Sequence, residues 1–108
     1  MEALQAEFLR LAREGLAAFP PEDLARLARE AEGYCHESGV VLYCVLGKIA
    51  SDLAWRWEDV DAVPTTLLTT LDGVLSHALP RVLNEGEGAY VLATALREEI
   101  QTILKDSW

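Results

Sequence analysis

VVLYCVLGKIASDLAWRW, residues 40–57, is the stretch on which the fold turns. Its opening run, Val40 to Gly47, carries no charge and raises the question of a membrane span. Lys48 and Asp52 interrupt it far short of the ~20 apolar residues a spanning helix needs, so it reads as a buried helix. Leu42, Val45, Leu46, Ile49, Leu53 and Trp57 recur at three- and four-residue steps, the period of one helix face. Tyr43, Gly47, Ala50 and Ala54 form a second stripe. Small residues at that spacing let another backbone come close, so this helix, expected over Gly39 to Glu58 with Ser38 as its cap, should be central and have neighbours on two sides.

The flanking sequence repeats the helical period. Towards the amino terminus, Leu4, Phe8, Leu11, Gly15 and Phe19 share a stripe, giving a helix from Glu2 to about Ala18 that Pro20 and Pro21 end. Pro21 suits the first turn of the next helix, where its missing N–H is not needed and Glu22 and Asp23 face the positive end of the helix dipole. That helix buries Leu24, Leu27, Ala28 and Ala31, carries Glu22, Arg26 and Glu30 as a charge ladder, and stops at Gly33 or frays to Glu37. Beyond the acidic break EDVDAVP, a fourth helix is expected over Thr65 to Leu83. Its inward positions run from Leu67 to Leu83, and Pro80 should kink or shorten it by denying the Ser76 carbonyl its donor. NEGEG, Asn84 to Gly88, reads as a turn and Ala89 to Lys105 as a fifth helix. The expectation is an all-α, compact bundle of about five amphipathic helices forming a single domain over residues 1–108.

Composition narrows the function. The chain has 108 residues, 51% of them hydrophobic and 25% charged, with a formal net charge of −9. That acidity argues against direct binding to nucleic acid or to an anionic membrane, both of which need a basic footprint. The amino terminus lacks the basic start and apolar segment of a secretory signal, and two cysteines in an ordinary core composition fit a reducing compartment. A cytoplasmic location is expected on both grounds.

Cys35, His36, Cys44 and His77 sum to a two-cysteine, two-histidine set, but their spacing is not that of a zinc finger, and Cys44 falls inside a helix. Free core thiols are the expectation, with a disulfide disfavoured because it needs Cα atoms within about 7 Å. Lys48 and Asp52 continue the line of Cys44, which reads as a partly exposed face. Glu58, Asp59 and Asp61 in one linker, and Glu85 and Glu87 in another, lack the calcium-loop pattern and read as solvated turns. The Gly-x-Ser-x-Gly, His-Glu-x-x-His and dinucleotide signatures do not occur. The chain is therefore read as non-enzymatic, with no cofactor and no metal.

The anomalies concern surfaces. Trp55 and Trp57 point about 200° apart on a helix, which leaves Trp55 off the core stripe. The outer side of the fourth helix reads Thr66, Thr69, Thr70, Gly73, Ser76, His77 and Pro80, with only Asp72 and Arg81 charged nearby; a solvent face usually carries more charge. The leading expectation is a protein-interaction module, a homodimer or a small acidic regulator or inhibitor of a larger protein. Trp55 would be its anchor, and Thr69, Gly73, Ser76 and His77 a close-packing face. The alternative is a small-ligand or metal-binding domain using Cys35, His36, Cys44 or His77, with thiol chemistry. A third reading, mimicry of nucleic acid, asks for an array of charge that the scattered carboxylates do not supply.

Overall fold

The computed structural model describes residues 2–15, 19–57 and 65–106. Among them are five helices and no strand: α1 (Glu2–Glu14), α2 (Pro21–Ser38), α3 (Val41–Trp57), α4 (Thr65–Glu85) and α5 (Glu87–Asp106). The chain is an all-α bundle. Two helical hairpins form it, α2 with α3 and α4 with α5; they meet along α3 and α4, and α1 lies against α5. None of these helices is long and apolar enough to cross a membrane.

The apolar stripes do the packing. Leu24, Leu27, Ala28 and Ala31 of α2 are buried, as are both stripes of α3, from Leu42 to Leu53 and from Tyr43 to Ala54. The side chain of Trp57 lies outside the described residues. Gly47 shows why the second stripe is small: a Cβ there would sit 2.9 Å from Glu32 Cγ and 3.3 Å from the Glu32 backbone nitrogen. Tyr43, 1% exposed, is admitted to the core because Gln5 of α1 donates a hydrogen bond to its hydroxyl at 2.9 Å. A buried hydroxyl without such a partner would cost about 1–3 kcal/mol.

The α2–α3 corner overturns the expectation of free thiols: Cys35 and Cys44 are joined by a disulfide, with their Cα atoms 4.8 Å apart. The reason is the length of α2. It neither stops at Gly33 nor frays, but continues to Ser38, where Gly39 takes the left-handed conformation (φ 69°) and its N–H closes the helix on the Cys35 carbonyl at 2.8 Å. Glycine meets little steric cost there. The chain doubles back within two residues, and pairs of nearly constant summed number come together: Glu32 with Gly47, Tyr34 with Tyr43, Cys35 with Cys44. That is antiparallel register. Ser38 is the last residue of α2; its hydroxyl donates to the Tyr34 carbonyl and accepts the Val40 N–H at 3.3 Å, so it serves both sides of the corner, while α3 begins at Val41 and not at Gly39.

Other boundaries also moved. α1 ends at Glu14 because Gly15 adopts φ 105°, its N–H still reaching the Leu11 carbonyl at 3.0 Å. Arg26 takes Glu7 of α1 and Glu30 as its partners, at 3.0 and 2.9 Å, in place of the full ladder with Glu22. α4 is not cut short at Pro80 but runs five residues further. Pro80 is on the solvent side, where helical hydrogen bonds are the longest and one is lost at least cost. The expected five-residue turn contracts to Gly86 (φ 140°). Leu83, expected inside, is 50% exposed.

Candidate interaction surface

The face of α4 turned away from the bundle is built around Gly73. By helical geometry Thr66, Thr69, Thr70, Ser76, His77 and Pro80 lie within about 60° of its direction, and Thr65, Arg81 and Leu83 flank them at about 80°. All of these residues are exposed. A Cβ added at Gly73 would meet nothing within 4 Å, so no part of the described chain covers the centre of the face. Thr69, Gly73, Ser76 and His77 are thus brought together on one open surface. The side chain of Trp55 lies outside the described residues.

The face is polar in composition, and part of that polarity is spent within α4 itself. The hydroxyls of Thr69 and Thr70 donate to the carbonyls of Thr65 and Thr66, at 2.9 and 3.0 Å, so what these residues retain for a partner is chiefly apolar. Asp72 turns to the α5 side, where Arg97 Nε donates to its Oδ1 at 3.1 Å. Arg81 remains as the formal charge of a face about six turns long, on a chain that is 25% charged.

Beside the face lies a shallow groove of about 500 Å³ between α3 and α4. Val41 and Val45 form its α3 wall, Val74 and Ala78 continue the lining on α4, and Thr70, Gly73, His77 and Arg81 complete it. The α3 wall is fixed by two devices that the sequence did not advertise. The Glu85 carboxylate, at the last residue of α4, accepts hydrogen bonds from the Val41 N–H at 2.6 Å and the Leu42 N–H at 3.0 Å. It caps a helix that has no acidic residue in its own first turn, so it is not simply part of a solvated turn. The second device is the disulfide, since Cys44 sits between Val41 and Val45.

Sequence reading missed Leu83, Glu85 and the two valines. Leu83 had a legible signal: it lies two turns beyond Ser76, on the outer line, while Val82 continues the core line from Leu75. Glu85 and the valines had none, because their roles depend on groups far apart in sequence, 44 residues for Glu85 and Val41. The metal-binding set does not assemble either. The sulfurs of Cys35 and Cys44 are bonded to each other, His36 and His77 are both exposed, and no cluster of three or more metal-ligating side chains occurs among the described residues. No family model matches the chain, and neither curated proteins nor solved structures include a match to it.

Proposed function

We propose that this protein is a non-enzymatic helical interaction module whose docking surface is the outer face of α4 with its adjoining groove, engaging a second copy of the chain or the surface of a larger protein that it regulates. One observation carries the reading: an exposed, small-residue face with Arg81 as its formal charge, on a chain of net charge −9. Charge favours the second copy. A basic partner is met best through acidic faces, whereas two equally acidic chains approach most easily where neither presents carboxylates. Trp55 keeps its proposed place as an anchor on sequence grounds.

The experiment is light scattering coupled to gel filtration over a concentration series, on the parent chain and on Gly73→Glu and Leu83→Glu. Both variants place a carboxylate on an exposed helical position, so the fold should persist. The expected result is a dimer that each variant weakens at least tenfold. A parent monomer moves the reading to a heterologous partner. Association unchanged in both variants, together with unchanged capture of any partner, removes α4 as the docking surface.

The small-ligand alternative retains one supporting observation, the groove with His77 on its wall, whose volume falls in the range of ligand sites. Its metal version loses support, because the two sulfurs are bonded to each other. The proposal of a cytoplasmic location rests in part on free thiols, and disulfides in a reducing cytoplasm are usually transient ones.

A further inference from the structure

We infer that Cys35–Cys44 is a reversible thiol–disulfide exchange site that governs the order of the α3 wall of the groove, so that a dithiol reductant controls the docking surface proposed above. The inference rests on that reading for its consequence, but not for its chemistry. Access comes first: both cysteines are partly buried, Cys35 packed against the edge of the core, and neither is sealed within it. Reversibility comes from the packing around them. The antiparallel register of α2 and α3 is set independently by the close approach of Gly47 to Glu32 and by the Tyr34 and Tyr43 rings 5.2 Å apart, and the Gln5 bond from α1 holds Tyr43 in place. Two thiols released at this corner therefore stay close enough to pair again.

The coupling to the groove follows from how the first turn of α3 is held. Four N–H groups open a helix without intrahelical partners. Here Glu85 takes those of Val41 and Leu42, and the Cys44 N–H reaches the Val40 carbonyl at a long 3.4 Å. The disulfide pins the same turn from the α2 side. Opening it removes the covalent restraint on the turn that carries Val41 and Val45, while α4 and α5 are untouched. In the exchange, a thiolate of the dithiol attacks one sulfur and forms a mixed disulfide, releasing the other sulfur as a thiolate. The second thiol of the reductant then closes its own disulfide and releases the second. Two electrons and two protons pass from the dithiol to the cysteines.

The test is amide hydrogen exchange and NMR on the full chain, titrated with mixtures of reduced and oxidised dithiothreitol under native conditions. The expected result is a reversible two-electron transition in a folded protein. Amides of Val41 to Val45 should lose at least tenfold in protection, those of Leu96 to Ile100 should keep theirs, and the His77 ring signals should move. Reduction only with loss of all protection together would make the bond a structural staple and overturn the inference. Reduction that leaves the 41–45 amides unchanged would overturn it as well. The Cys35→Ser, Cys44→Ser double variant should reproduce the reduced pattern without reductant; if it does not fold, the native titration still decides. Failure of Gly73→Glu and Leu83→Glu to alter association, with the redox result intact, would remove the docking surface alone.

Discussion

Single side chains do unequal work in this bundle. Glu85 is the plainest case, because one carboxylate at the end of α4 satisfies two backbone donors of α3. Glutamine offers one acceptor oxygen where the carboxylate offers two, and carries no charge for the helix end. Glu85→Gln should therefore destabilise the fold by about 1–2 kcal/mol in denaturant titration; a loss below about 0.3 kcal/mol would show the cap to be idle. Glu99 pulls the other way. Burial on α5 raises its pKa, so the neutral acid is the form the fold prefers. The contribution is fully present below the ordinary glutamate range and is lost as pH rises through the raised value, because the unfolded chain ionises more readily. Glu99→Gln should be the more stable protein at neutral pH, with the advantage vanishing in acid. An advantage that persists unchanged at low pH would assign it to something other than ionisation.

At the scale of elements, α3 is the organising helix, and Gly47 is the residue that lets α2 close on it. A Cβ there meets Glu32 backbone as well as side chain, so the relief available from a rotamer change is incomplete. Gly47→Val should cost about 1–3 kcal/mol through overpacking and should separate α2 from α3. A variant as stable as the parent would mean the two helices slide apart freely. The outer stripes show how far sequence periodicity carries. Every α2 position expected inside is buried, and so is every described position of both α3 stripes, because burial on a straight helix depends on angle alone. Periodicity erred at helix ends, where Gly15, Gly39 and Gly86 decide, and at Leu83, where an apolar residue was placed inward by kind and not by angle.

The whole molecule carries its acidity unevenly. With a formal net charge of −9 and α4 bare of carboxylates on its outer face, self-association through that face should depend weakly on salt, since little charge is brought together or neutralised. Repeating the light-scattering series at low and moderate ionic strength checks this. A dimer that dissociates steeply as salt rises would point instead to ion pairing through another face.

The sequence by itself determined the all-α class, the five helices and nearly all of the core, because the helical period and proline and glycine punctuation are local properties that survive without knowledge of neighbours. It also made the uncharged side of α4 legible, since Thr69, Gly73, Ser76 and His77 share a face by spacing alone. Only the tertiary structure decided which distant groups meet. The Cys35–Cys44 bond requires α2 to reach Ser38 and turn at Gly39, and the Glu85 cap requires the end of α4 to arrive at the start of α3. The groove requires both helices at once. Each depends on relative placement, which is fixed by the packing of many side chains together and is written in no single stretch of the chain.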